Sequence, residues 1–135
     1  MILTFVDAGV LIAAARGTTD ISGKAMELLD DDKRSFASSD FVRLEVLPKP
    51  MFHKRQEEAA FYGAFFEAVT DWAHWDESLL QQALTLASRY GLSALDALHA
   101  AAALSLGAHE IVTTEKLGRP LHRVPGLVVR TIHPG

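Results

Sequence analysis

Four acidic residues stand among mainly apolar neighbours: Asp7 in Phe5-Val6-Asp7, Glu45 in Leu44-Glu45-Val46, Asp96 in Ala94-Leu95-Asp96-Ala97-Leu98, and Glu115 just after Ile111-Val112-Thr113. Brought together, such carboxylates repel: two unit charges ~5 Å apart cost about 3 kcal/mol at an effective dielectric near 20. In one partly buried pocket they raise each other's pKa unless a cation is present. There is no cysteine and no metal-type histidine spacing among His53, His74, His109, His122 and His133. Hard oxygen donors alone select Mg2+ or Mn2+ over zinc. The chemistry this set suits is that of a bound divalent cation, which polarises an oxygen ligand and makes a bound water more acidic.

Each acid also has a plain structural explanation. Asp7 can cap the helix that follows it, and Asp96, three residues after Ser93, fits a capping box. Glu45 can be the exposed residue of a half-buried helix, and Glu115 an ordinary loop acid. His99 lies three residues after Asp96 and shares its helix face; packing at the pocket edge or in the core is the favoured reading for it. Lys116, Arg119 and Arg123 follow the fourth acid and are candidate phosphate contacts. A solvated loop explains them equally well.

The elements that must position these residues follow from the apolar pattern. Residues 2–6 read as a buried strand ending at Asp7. Residues 9–15 read as a helix stopped by Gly17, and Ser22 as the N-cap of a helix ending near Asp32. Phe36-Ala37-Ser38 predicts a second strand, and Asp40 an N-cap for a helix carrying Glu45 that Pro48 and Pro50 break or kink. Residues 54–69 predict a longer helix whose Phe61, Phe65, Phe66 and Val69 stripe serves core or interface. A short strand within 70–75 follows, with Trp72 and Trp75 as packing residues. A helix over 77–90 stops at Gly91. Ser93 caps an alanine-rich helix that closes at Gly107. Strands at 110–113 and 127–131 complete the chain. Strands alternating with helices, without hairpin signals, predict an α/β three-layer sandwich around a mostly parallel, roughly five-stranded sheet. In such sheets sites lie beyond the carboxyl ends of the strands, where Asp7 and Glu115 fall.

The 135 residues suit one domain, taken as 1–135, and 49% hydrophobic with 22% charged residues is ordinary for a globular chain. No apolar run reaches membrane-spanning length, and the apolar N-terminus lacks a basic leader and carries Asp7, so the expected location is cytoplasmic. A net charge of −4 argues against a nucleic-acid partner, but the distribution is uneven. Lys116, Arg119, Arg123 and Arg130 follow Glu115 without an acid, and Arg43 to Arg55 holds four bases against Glu45.

The order of these motifs resembles the PIN-domain nucleases, which include VapC-type toxins of toxin–antitoxin pairs. Asp7 in Phe-Val-Asp7-Ala-Gly-Val-Leu-Ile matches the first family acid, Glu45 in Ser-Ser-Asp-Phe-Val-Arg-Leu-Glu45-Val the second, and Asp96 in Leu-Ser-Ala-Leu-Asp96-Ala-Leu-His-Ala-Ala-Ala the third. Thr113-Thr114-Glu115 matches the Thr-x-Asp segment after the fourth strand. The resemblance implies hydrolysis of RNA with Mg2+ or Mn2+ at Asp7, Glu45, Asp96 and Glu115, with Thr113 bonding the pocket. It also implies a homodimer and an antitoxin partner. There are two departures from the pattern. Ala8 and Gly9 replace a small polar residue or Asn, which predicts a missing hydroxyl or amide near the metal. Glu115 replaces the commoner Asp. Two alternatives are a PIN-like module that binds RNA or protein without cutting, and another Mg2+-dependent α/β phosphohydrolase.

Overall fold

The computed structural model describes residues 1–18 and 20–135. Five strands form one sheet in the order β3-β2-β1-β4-β5: β1 (Ile2–Val6), β2 (Arg34–Ser39), β3 (Asp71–Ala73), β4 (Glu110–Thr113) and β5 (Val128–Thr131). Every pairing is parallel. The centre of the sheet is buried on both faces, which is why Thr4, Phe5 and Val6 run on without polar alternation and are all 0% exposed.

The connections are helical. Between β1 and β2 come α1 (Ala8–Arg16) and α2 (Ser22–Leu29); between β2 and β3 come α3 (Asp40–Val46), α4 (Pro48–Phe52) and α5 (Gln56–Ala68). The return from β3 to β4 uses α6 (Glu77–Tyr90) and α7 (Ala94–Ser105), and a short 3-10 turn, Pro120–Arg123, precedes β5. The strand order reverses direction between the first two crossovers and the third. With right-handed crossovers, this sets α1 to α5 over one face and α6 and α7 over the other. The expected three-layer α/β sandwich is therefore the observed fold. The alanines of α7 have the reason anticipated for them: Ala97 and Ala100 to Ala103 are buried, and their small side chains let the helix lie close against the sheet.

Local corrections concern caps and burial. Ser22 does not cap α2. Ile21 holds that position, Ser22 is the first helical residue and its hydroxyl donates to the Ala13 carbonyl at 2.7 Å, and the helix ends at Leu29 rather than near Asp32. Asp40 does not cap α3. Ser39 does, accepting from the Val42 amide, which frees the Asp40 carboxylate to accept from Trp72 Nε1 and the Trp75 amide, each at 2.8 Å. The phenylalanine stripe of α5 is largely core: Phe65 and Tyr62 are buried, and Phe61, Phe66 and Val69 pack against the core. Trp75, expected to pack, is exposed.

The amino edge of the sheet carries one buried charge. Glu110, first in β4, accepts from Thr4 Oγ1 (2.7 Å), Arg34 Nε (2.8 Å) and Arg130 Nε (2.8 Å), so one carboxylate joins β1, β2, β4 and β5. Arg34 also pairs with Asp31. Burial would push the Glu110 carboxyl up, but the bonds from Arg34, Thr4 and Arg130 outweigh it and hold the pKa at about 2. This contact fixes the relative register of the strands whose other ends carry the candidate site.

Candidate active site

Because all strands are parallel, the residues after β1, β2 and β4 emerge at one edge. Asp7 follows β1, and its amide extends the ladder by donating to the Val112 carbonyl at 3.0 Å. That register sets its carboxylate beside Thr113, whose hydroxyl donates to Asp7 Oδ2 at 2.8 Å. The same hydroxyl accepts from the Glu115 amide at 3.1 Å. One fully buried threonine thus links the first and fourth acids. Asp7 does occupy the N-cap position of α1, but its side chain makes no helix-cap bond. The capping explanation for a charge in this apolar setting therefore fails: 9% exposed, the Asp7 carboxylate lies within reach of the Glu45 charge.

Glu45 arrives from α3, which is started by Ser39 directly after β2. Asp96 and His99 arrive from the first turns of α7. There Ser93 is the cap, its hydroxyl accepting from the Asp96 amide at 3.3 Å. His99, 2% exposed, lies between two acids, its Nε2 at 2.5 Å from Glu45 Oε1 and 3.9 Å from Asp7 Oδ1. Glu115 is more open and pairs with Arg119 at 3.3 Å, while its carbonyl meets His122 Nε2 at 3.2 Å.

The electrostatics tie these residues into one neighbourhood. Burial raises the Asp7 pKa above the usual carboxylate range; His99 and Thr113 oppose this, and Glu45 adds to it. Burial also raises Asp96, followed by the charges of Asp7 and Glu115. Burial alone would lower the His99 pKa, but its bond to Glu45 and the charges of Asp7, Glu45 and Asp96 raise it overall. The four acids named from the sequence therefore lie close enough to feel one another's charge. They are not gathered around a single point: among the described residues no three Asp, Glu or His side chains form a ready-made ligand set. Each of Asp7, Glu45 and Glu115 instead leans on a donor, namely Thr113, His99 or Arg119. This is how neighbouring carboxylates lower their mutual repulsion. A hard divalent cation suits the donor set. The ligands on offer are carboxylate oxygens, and the ion would relieve the burial and repulsion that hold Asp7 and Asp96 in an unfavourable charge state.

From the sequence, Ala8 and Gly9 predict a loss of polar assistance beside Asp7. In the structure a Cβ on Gly9 would sit 2.5 Å from Thr114 Oγ1. Gly9 thus lets the Thr113-Thr114 segment close against the start of α1, and the hydroxyl beside Asp7 comes from β4. From spacing alone His99 reads as packing at the pocket edge or in the core, and at 2% exposed it is packed. Its i, i+3 relation to Asp96 was the available signal; its approach to Glu45 depends on how α3 meets α7. Of the basic residues, Lys116 and Arg123 are exposed, Arg119 is paired with Glu115, and Arg130 is committed to Glu110 at the far edge.

The family model for the PIN domain matches residues 4–122, and the chain belongs to that family. Solved structures with the same fold include VapBC2 from Rickettsia felis bound to a promoter DNA fragment (TM-score 0.72, 16% identity, covering 96% of this chain and 98% of that one). DNA-bound VapBC from Salmonella typhimurium is similar at TM-score 0.70 and 17% identity, covering 98% of this chain and 99% of that one. VapC20 from Mycobacterium tuberculosis, described as a toxin that cleaves the sarcin–ricin loop, follows at TM-score 0.65 and 20% identity, with 80% of this chain and 86% of that one covered. No curated protein sequence matches this one.

Proposed function

We propose that the chain, acting as a single domain over 1–135, is a metal-dependent endoribonuclease and the toxin of a toxin–antitoxin pair. The observation that carries this reading is the convergence of acids from four separate elements at one sheet edge, with Asp7 and Asp96 both raised by burial and by neighbouring carboxylates. Carboxylates crowded and buried at the carboxyl edge of a sheet, with their pKa values raised, are the pattern of a functional site.

Asp7 and Asp96 are the principal ligands for Mg2+ or Mn2+. Glu45 is a further ligand or takes the proton of the attacking water, and Glu115 acts through water or a second ion. Bound there, such a cation supplies charge neutralisation at a non-bridging phosphate oxygen and a more acidic water. Thr113 holds the Asp7 carboxylate in orientation through its hydroxyl. Lys116 and Arg119 lie at the rim beside Glu115 and contact the RNA backbone, which positions the strand without reading its sequence.

The similar structures include VapBC assemblies and a toxin–antitoxin complex from Klebsiella pneumoniae, which supports an antitoxin for this chain; a homodimer in the cytoplasm completes the reading. No described helix is long and apolar enough to cross a membrane. The test is cleavage of a mixed pool of structured RNAs with Mn2+, with Mg2+ and with EDTA, comparing the parent with Asp96→Asn. Metal-dependent cutting that the variant loses is expected; equal cutting by Asp96→Asn would remove the assignment.

A further inference from the structure

His99 is a buried side chain that meets the carboxylates of two of the acids, Glu45 and Asp7, and the nuclease reading gives it no task. Its ring is 2% exposed and packs beside Phe5, with ring centroids 6.0 Å apart. Both of its charged contacts run through Nε2, at 2.5 Å to Glu45 and 3.9 Å to Asp7. Nδ1 is buried without a hydrogen-bond partner among the described residues. A carboxylate only accepts, so the proton in the short contact is donated by Nε2. The packing that fixes this ring therefore fixes where Glu45 points. Among the described residues Glu45 makes no other side-chain hydrogen bond; α3 brings it to the site, but its side chain is long and 28% exposed. Left alone, such a side chain samples several rotamers and spends part of its time in solvent.

We propose that His99 is a positioning residue: it holds Glu45 turned inward toward Asp7, so that the second acid is preset for the cation. This rests on the metal-dependent reading of the site. It explains why a histidine, and not a leucine, occupies a 2% exposed position on the inner face of α7. It also accounts for a buried polar atom, Nδ1, left without a partner, since the fold tolerates that cost to place Nε2.

The test is Mn2+ binding by calorimetry on four variants: His99→Leu, His99→Gln, Glu45→Gln and the double variant Glu45→Gln/His99→Leu. Circular dichroism and thermal unfolding establish that each is folded. Leu fills the site without a donor, and Gln keeps an N–H. Loss of a residue that orients a metal ligand typically costs about 10–100-fold in affinity, so His99→Leu is expected to bind Mn2+ at least about tenfold more weakly than the parent. His99→Gln is expected to recover most of that loss. If His99 acts through Glu45, adding His99→Leu to Glu45→Gln changes the affinity little further. Three results overturn the proposal: parental affinity in folded His99→Leu, no recovery with Gln, or an undiminished effect of His99→Leu in the Glu45→Gln background. Mn2+ binding by the parent with any of these outcomes removes the role of His99 alone. No Mn2+ binding by the parent removes both this role and the metal-dependent reading beneath it.

Discussion

Replacing Asp7 by Asn should make the metal-free protein more stable while removing its function. Glu45 and Asp7 both approach the same nitrogen, at 2.5 and 3.9 Å, so the two carboxylate oxygens are no farther apart than the sum, 6.4 Å. At that separation two unit charges repel by roughly 2–3 kcal/mol at an effective dielectric near 20. Asn removes the repulsion and the burial cost of the charge, while its carbonyl still accepts from Thr113. It gives up the stronger, charge-assisted form of that bond and the attraction to His99. The net gain expected is about 1–2 kcal/mol, a rise of roughly 3–8 °C in the unfolding midpoint for a chain of this length. The pH dependence has a definite sign. Because the folded-state pKa of Asp7 is raised, the folded chain holds a proton that the unfolded chain has released, so the parent loses stability as pH rises from the ordinary carboxylate range through the raised value. The advantage of Asp7→Asn in EDTA should therefore be small near pH 4 and grow as pH rises above the ordinary carboxylate range. Saturating Mn2+ should stabilise the parent and not the variant. Thermal unfolding of both proteins at several pH values, with EDTA and with Mn2+, decides it. A variant no more stable than the parent at pH 8 in EDTA, with a difference independent of pH, would refute the reasoning.

Other perturbations separate the parts of the account. Glu110, held at about 2 against an ordinary value of 4.5, contributes stability that is full above pH 4.5 and is lost as pH falls toward 2; about 3 kcal/mol is at stake. Acid unfolding of the parent should show that loss, and Glu110→Gln, less stable at neutral pH, should show a shallower acid slope. Gly9→Ala forces a methyl against Thr114, and equilibrium urea unfolding should report a cost of about 1–3 kcal/mol, with weaker RNA cleavage as the α1 start is pushed from β4. Thr113→Val keeps the shape but strips both the donor to Asp7 and the acceptor for the Glu115 amide, so a loss of about 1–3 kcal/mol is expected in the same assay.

Much of this was legible in the chain because it is written in local pattern. The continuous apolar runs at Phe5-Val6 and Ile111-Val112 mark strands buried on both faces, and Ser93 and Gly91 bracket α7 and α6 at their true ends. The order of the four acids picked out residues that the fold brings to one neighbourhood, without knowledge of a single distance. What failed was decided by competition among neighbours. At Ser39-Asp40, two good capping residues adjoin; the serine caps because the aspartate is drawn to Trp72 and Trp75, which β3 brings across from 32 and 35 residues away. Ser22 lost its cap role in the same way, to a carbonyl at the end of α1. The role of His99 was out of reach for a related reason. Its partner Glu45 is 54 residues distant, and spacing on α7 reveals only that it shares a face with Asp96. The glycine after Ala8 looked like a missing polar group because its partner, Thr114, lies on another strand's exit loop.

The central claim is that these acids form one metal-dependent centre that cuts RNA. Its most direct measurement is cleavage of an end-labelled structured RNA by EDTA-stripped protein, before and after adding back Mn2+, with Asp7→Asn run beside the parent. The account predicts no cutting by the stripped parent, cutting restored by Mn2+, and none by Asp7→Asn in either state. Cutting that persists in EDTA, or that survives in a folded Asp7→Asn, would contradict it.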